Sequence, residues 1–231
     1  MHAPVLDGAR LRVAILVSAV LVTLAPLGGC PQPAPSDDSA QDQPAGDAPA
    51  KTFTWYSAFN PQNVGALSAV WGSSASDIFV VGGTFDQGEV YHFDGANWRA
   101  MEVPSVPLLV WVFGFGPDNV YAVGVGGGVV HYDGGKWTAL DSGTKDDLWG
   151  IWGRAPNDMW IVGGKTGEGE PVLMHFDGVT FTPVPVPPND RDATALFKVW
   201  GIGSKLFAVG ERGLILSYDG ANWSQVPAGA D

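Results

Sequence analysis

The sequence predicts an all-β fold: a small β-propeller of about four four-stranded antiparallel blades, preceded by a signal peptide and a disordered tether. Three observations support this. The string VYHFDGANW at 90–98 returns in outline at 129–137, 173–181 and 215–223. The aspartates of the four copies lie 39, 44 and 42 residues apart, a period typical of repeat architectures. Apolar runs in the domain are short, lack helical periodicity and are bounded by Gly, Pro, Asn and Asp.

Residues 1–29 are predicted to form a lipoprotein signal peptide. Arg10 and Arg12 precede an apolar run at 13–25, which is shorter than the roughly 20 residues of a spanning helix. The following LGGC resembles the bacterial lipobox, in which the cysteine carries the lipid. Cys30 is the only cysteine, so it has no internal disulfide partner. We expect lipidation at Cys30, rather than a free thiol, and location in the cell envelope. Pro31, where some lipoproteins carry a retention Asp, favours the outer membrane.

Two further segments follow the signal peptide. Residues 30–50 contain no aromatic residue, no Lys or Arg, and four Asp, which predicts a disordered tether. Residues 51–231 hold 19 acidic and 10 basic residues, a formal charge of −9. That acidic balance argues against binding to nucleic acid or to anionic lipid surfaces.

The repeats are predicted at about 66–105, 107–143, 147–187 and 195–228. Each divides into four short strands, like SAVWG, DIFVVG, EVYHF and NWRAMEV in the first copy. An aromatic residue before a glycine marks the first strand of each copy, at Trp71, Phe113, Trp152 and Trp200. Four-stranded units of about 40 residues are typical of propeller blades, and their repeated aromatics are expected to pack blade on blade.

An Asp-Gly pair separates the third and fourth strands of each repeat. Asp-Gly is a strong hairpin signal, and it predicts a type I′ turn with positive φ at both central residues. The aspartates are Asp94, Asp133, Asp177 and Asp219. The aromatic residues four positions later, expected to pack the returning strand, are Trp98, Trp137, Phe181 and Trp223.

The closure of the ring is left open by the sequence. Residues 52–58 resemble a fourth strand and are a possible closing strand that would pair with the last blade and protect its edge. They could equally be the remnant of a fifth blade. A homodimer that completes a larger ring is the third alternative.

The combined pattern W-G-x-x-x-x-D-x-aromatic-x-V-G and V-x-H-aromatic-D-G-x-x-W covers essentially all of 67–227. It resembles the tandem repeats of bacterial surface lipoproteins with propeller domains, and more loosely kelch and Asp-box propellers. The Asp-box spacing itself is not met, because Gly follows Asp directly. The resemblance implies a propeller and an envelope location, and it transfers no catalytic residue to this chain.

No catalytic, cofactor or metal constellation emerges from the motifs. His92, His131 and His175 occupy one place in three blades, too far apart to share one ion, so we interpret them as structural. The glycine runs at 124–129 and 163–171 lack the context of nucleotide-binding loops. The segment 189–194 has the Asp-x-Asp opening of a calcium loop without its later Gly and Glu. We therefore predict no cofactor, no metal and no enzymatic activity, with a glycoside-active enzyme as the remaining alternative.

The loops after the second and fourth strands vary in length and carry charge, whereas the other turns are uniform. Variable loops on a rigid scaffold are where function usually resides. The predicted partner-binding candidates are Asp86, Glu89, Asp146, Asp147, Trp149, Glu168, Glu170, Asp190 and Asp192. We expect this face to bind an envelope or extracellular protein, unless it is only a solvated rim. The other alternative is carbohydrate binding by the tryptophans outside the repeat pattern, for which core packing is the competing interpretation.

Overall fold

The computed structural model describes residue 54, residues 57–60 and residues 64–227. The predicted signal peptide, Cys30, the tether and most of the possible closing strand at 52–58 lie outside those residues. The predictions made for them therefore stay predictions. In the described ranges, no helix is long and apolar enough to cross a membrane.

The described chain forms four sheets, each of four antiparallel strands in chain order. Blade 1 consists of β1 (Ala66–Ser74), β2 (Asp77–Thr84), β3 (Gln87–Phe93) and β4 (Trp98–Met101). Blade 2 consists of β5 (Leu109–Gly116), β6 (Asn119–Gly124), β7 (Gly128–Tyr132) and β8 (Trp137–Asp141). Blade 3 consists of β9 (Leu148–Ala155), β10 (Asp158–Lys165), β11 (Glu168–Phe176) and β12 (Phe181–Pro183). Blade 4 consists of β13 (Leu196–Ile202), β14 (Lys205–Gly210), β15 (Ile215–Tyr218) and β16 (Trp223–Gln225). The predicted fold class, an all-β propeller of four four-stranded blades, is confirmed.

Each blade has two faces because side chains alternate across a strand. We call the face toward the next blade in the chain the forward face, and the opposite one the rear face. In blade 1, Trp71, Phe79 and His92 share the forward face through their strand pairing. Gly72, Ile78 and Phe93 share the rear face.

The apolar core is divided among the junctions between consecutive blades. Phe79 and Val81 of blade 1 pack with Val120 and Val130 of blade 2. Corresponding clusters join blade 2 to blade 3 and blade 3 to blade 4. No such cluster of the described residues joins blade 4 to blade 1, so the blades stack in chain order without the fourth closing on the first.

The four Asp-Gly turns have one geometry, and it differs from the expected one. In each, the aspartate carboxylate accepts the backbone N–H groups two and three residues later, at 2.7–3.0 Å. The glycine has a φ between 89° and 106°, but the following residue does not have positive φ. The type I′ expectation is therefore wrong. Positive φ at the first central residue alone is the pattern of a type II′ turn, and it spares residues such as Ala96 and Val179 the left-handed region.

The aromatic residue after each turn packs as expected. The ring of Trp98 lies 5.2 Å from that of Phe93, and Trp137 lies 5.3 Å from Tyr132. Phe181 stacks on Phe176 at 4.3 Å, and Trp223 lies 5.3 Å from Tyr218. Each pair couples the third and fourth strands of one blade.

Candidate functional site

The loops after the second and fourth strands of the blades emerge together on one side, which we call the loop face. Successive antiparallel strands run in opposite directions, so the connections after the second and fourth strands of every blade lie at the same end of that blade. It comprises the segments 84–87, 102–108, 125–127, 142–147, 165–168, 184–195 and 211–213. The predicted acidic candidates lie in these segments or in the strand residues next to them.

Four of the acidic candidates extend freely from the loop face. Asp86, Glu168, Glu170 and Asp192 are exposed, and within the described structure their carboxylates make no hydrogen bond or ion pair. Glu170 and Asp192 line one cavity of about 430 Å³, with a wall formed by Pro187, Pro188 and neighbouring residues. No Lys or Arg lines that cavity. It therefore presents uncompensated negative charge in a concave site.

The floor of this cavity, which we call the acidic cavity, is fixed by hydrogen bonds. Thr194 donates its hydroxyl to Glu211 at 2.7 Å and accepts the N–H of Gly167 at 2.7 Å. Glu211 also accepts the Thr194 N–H at 2.9 Å. The bonds from Thr194 hold the pKa of Glu211 below its usual value. The β10–β11 turn, the loop before β13 and blade 4 are thus held together beneath the cavity.

Four other acidic candidates are engaged in internal hydrogen bonds. Glu89 accepts the N–H of Gly65 and the hydroxyl of Tyr91, both at 3.1 Å. Asp147 accepts the N–H of Gly126 at 2.9 Å and so links blade 3 to the short 3-10 turn of blade 2.

Asp146 is bound within its own loop, and Asp190 is bound by its neighbour Arg191 and by Gln225 of β16. Asp146 accepts the Thr144 hydroxyl at 3.2 Å. Asp190 accepts the side-chain amide of Gln225 and lies 3.3 Å from Arg191. In the segment 189–194, Asn189 caps the N–H of Ala193 at 3.0 Å. The sequence does not distinguish the free carboxylates of the loop face from the engaged ones.

The off-pattern residue Trp149 is half-buried and packed. Its indole N–H donates to the Gly164 carbonyl at 2.8 Å, and its ring meets that of Phe197 edge-on at 6.3 Å. These contacts fit core packing, the competing interpretation given above for such tryptophans.

Lys198 connects three blades beside Trp149. Its ammonium group donates to the Trp149 carbonyl at 2.6 Å and lies 3.8 Å from the centre of the Trp111 ring. Burial lowers the pKa of Lys198 to about 8. Lys198 carries only one signal in the sequence: it is a lysine at a strand position that is occupied by Ala69, Trp111 and Gly150 in the other blades.

The three repeat histidines are held apart, each within its own blade. His92 pairs with Asp77 at 2.7 Å, His131 with Asn119 at 2.9 Å, and His175 with Asp158 at 3.0 Å. Their partners begin the second strand of each blade. No group of three His, Cys, Asp or Glu side chains among the described residues has the geometry to hold a metal ion.

A larger groove lies between blades 3 and 4, with a volume of about 940 Å³. It is lined by Arg154, Asp158 and His175 of blade 3, by the proline-rich segment 184–188, and by Tyr218 and Trp223 of blade 4. Burial alone would raise the pKa of Asp158, but hydrogen bonds from Arg154 and His175 outweigh burial and hold it below its usual value. Sequence reasoning missed this groove, because its walls come from strands of two blades.

The fold and the loop face together define a repeat β-propeller. No protein-family model matches the chain, and no curated protein matches it. Among solved structures it is similar to the computationally designed Ika4 protein, with 11% identity over 67% of this chain and 91% of that chain, at a TM-score of 0.49. It is also similar to YCF48, in a structure of YCF48 bound to D1 peptide, with 16% identity over 69% of this chain and 66% of that chain, at a TM-score of 0.36.

Proposed function

We propose that this chain is a lipid-anchored, non-catalytic propeller of the bacterial envelope that binds a protein partner through its loop face. The observation that supports this most directly is the acidic cavity. Glu170 and Asp192 line it, Glu168 lies two residues away on the same strand, and no basic side chain lines it. A Lys or Arg side chain of a partner protein is the complementary group, since arginine in particular is enriched in protein interfaces.

The rigidity of the cavity also supports binding. The hydrogen bonds of Thr194 fix the loop before a partner arrives, so less conformational entropy is lost on association. Anchoring at Cys30 and the extended tether rest on the sequence, and they would hold this face away from the membrane. The lipobox supports the envelope location. The charge of −9 on residues 51–231 argues against nucleic acid or an anionic lipid surface as the partner.

The test is a crosslinked pull-down from native envelope with the full chain. The cavity variant carries Glu168→Gln, Glu170→Gln and Asp192→Asn. The matched control carries Asp118→Lys and Val179→Lys, which change the net charge by the same three units at exposed turn positions outside the loop face. We expect one protein to be captured by the wild type and the control and lost by the cavity variant.

Two results would contradict the proposal. If all three chains capture the same proteins, the acidic cavity is only solvated. If the cavity variant and the control lose a partner equally, the interaction depends on overall charge and not on the cavity. Circular dichroism of each variant checks that folding is unchanged.

A further inference from the structure

The two ends of the blade stack expose apolar faces that are buried everywhere else in the chain. On the forward face, Phe207 of blade 4 is 46% exposed, whereas its counterparts Phe79, Tyr121 and Trp160 are at most 5% exposed. Val209 is 42% exposed, and its counterparts Val81, Val123 and Val162 are fully buried.

The rear face of blade 1 shows the same contrast. Val70 is 66% exposed. Its counterparts in the pairing scheme, Val112, Ile151 and Val199, are at most 5% exposed because a preceding blade covers each of them. Within residues 64–227, one forward face and one rear face are therefore left without a partner blade.

At each internal junction, an aromatic ring of one blade lies against a glycine of the next blade. A Cβ added to Gly114 would lie 2.6 Å from the ring of Trp71. A Cβ added to Gly201 would lie 2.6 Å from the ring of Trp152, and one added to Gly153 would lie 3.0 Å from Phe115. At Gly114 and Gly201 a side chain would overlap the ring of the preceding blade. At Gly153 it would meet the Phe115 ring and, closer still, Met159 of its own blade.

The unpaired ends carry the two halves of this contact. Trp200 of blade 4 holds the aromatic position and is 62% exposed. Gly72 of blade 1 holds the glycine position, and a Cβ there would meet only atoms of its own blade. No ring of the described chain covers Gly72.

A second aromatic contact recurs at the same junctions. Phe79 of blade 1 lies 5.6 Å from Tyr132 and 6.1 Å from Trp137 of blade 2. Trp160 of blade 3 lies 5.0 Å from Tyr218 and 5.2 Å from Trp223 of blade 4. At the ends, Phe207 holds the position of Phe79 and Trp160, and the pair of Phe93 and Trp98 holds that of their partners.

We propose that blade 4 of one copy packs on blade 1 of a second copy, with Trp200 over Gly72 and Phe207 against Phe93 and Trp98. The reciprocal contact closes a two-chain ring of eight blades, within the range of about 4–8 blades of known propellers. The contact is head-to-tail, because two different faces meet, and head-to-tail contacts form rings when the rotation closes. We choose a second copy as the partner of blade 4 because the internal junctions pair a forward face with a rear face. Blade 1 has the one described rear face that no blade covers.

Phe59 covers part of the rear face of blade 1. Its ring lies 4.7 Å from Tyr91 and 5.2 Å from Trp98, over the outer part of the rear face of blade 1. It leaves Val70 and Gly72 exposed, and these residues lie on the inner strand where Trp200 would pack. Because Phe59 contacts Trp98, Phe207 of the second copy would pack on Trp98 beside Phe59 or in its place, whereas the contact of Trp200 with Gly72 is unobstructed by Phe59.

The test uses sedimentation velocity of the purified full chain over about 1–100 µM. Trp200→Glu places a charge on the forward face, and Val70→Glu places one on the rear face. Val179→Glu is the matched control, at an 87% exposed turn position of blade 3. We expect the wild type and the control to be dimeric and each face variant to dissociate at least about tenfold more readily, because each places a charge in an apolar junction.

Mixing the two face variants gives the sharpest result. Neither variant can form a sound junction with itself, but blade 4 of Val70→Glu and blade 1 of Trp200→Glu are both intact. The mixture should therefore recover a dimer with one sound junction. Circular dichroism confirms that each exposed substitution leaves the single chain folded.

Four outcomes would overturn the proposal. These are a monomeric wild type across the range, a species larger than a dimer, a dimer that survives both substitutions, and dissociation by Trp200→Glu alone, which indicates that two identical faces meet. The cavity variant, with its three neutralised carboxylates, should stay dimeric. Dimerisation and partner binding can thus fail separately.

Discussion

The repeat position shared by Trp152 and Trp200 allows a test of what holds the blades together. Trp152 is 9% exposed between blades 3 and 4, and Trp200 is 62% exposed at the end of the stack. Changing each to alanine removes the same side chain from the same place in the repeat. The two variants differ mainly in how much apolar surface the folded chain loses.

The expected cost follows from that burial. A tryptophan buries about 150–250 Å², which corresponds to about 4–6 kcal/mol at about 25 cal/mol/Å² as an upper bound. Scaled by exposure, Trp152→Ala should lower the free energy of unfolding by about 4–5 kcal/mol and Trp200→Ala by about 2 kcal/mol. The difference, about 2–3 kcal/mol, is more secure than either value because errors of the unfolded reference are shared.

The assay is urea unfolding followed by tryptophan fluorescence and far-ultraviolet circular dichroism, at a protein concentration low enough to keep the chain monomeric. Coincident transitions by the two probes would justify a single free energy for each variant. Equal losses for the two variants would refute the reasoning, because they would show that the blade junction is not the source of the stability.

Three further predictions concern single side chains. Burial lowers the pKa of His131 below its usual 6.5, so the unfolded chain binds a proton first as the pH falls. The free energy of unfolding should therefore decrease below about pH 6.5 by more in the wild type than in His131→Gln. Equal pH profiles of the two chains would contradict this. Lys198 has a pKa of about 8 in the folded chain against the usual 10.5, so as the pH rises the folded chain loses this proton before the unfolded chain does. The free energy of unfolding should therefore rise between these two pH values. Urea midpoints measured at several pH values should show that Lys198→Met lacks this rise. In Asp177→Ala the two N–H groups of the turn lose their acceptor, so at neutral pH the variant should unfold at a lower urea concentration than the wild type. The same N–H groups hold the pKa of the Asp177 carboxylate below its usual value. The difference in urea midpoint should disappear below about pH 4, as that carboxylate is protonated in the wild type.

Much of the fold could be predicted from the sequence because its determinants are local. Asp94-Gly95 and its relatives specify turns within a few residues, and apolar runs between them specify strands. The type I′ expectation for these turns was wrong because of local hydrogen bonds. The aspartate carboxylate accepts the N–H of the third residue, Asn97 in blade 1, at 2.8 Å, and only Gly95 takes positive φ.

The candidate site was less predictable because it depends on which blades meet. The sequence shows eight carboxylates on one face, but only the structure separates Glu170, at an open cavity, from Asp147, which caps Gly126 of another blade. Lys198 went unnoticed because Trp111 lies in a different repeat, far away in the chain. Contacts of that kind leave no periodic signal.

The way the blades touch also determines how the chain opens. Blades 2 and 3 each share an apolar core with two neighbours, whereas blades 1 and 4 each share one. When stability is a sum of unit and nearest-neighbour contributions, the end units detach at a lower free energy than the middle ones. Amide protons of β13–β16 should therefore exchange with solvent sooner than those of β5–β12. In a closed two-chain ring every blade has two neighbours, and this gradient along the chain should disappear.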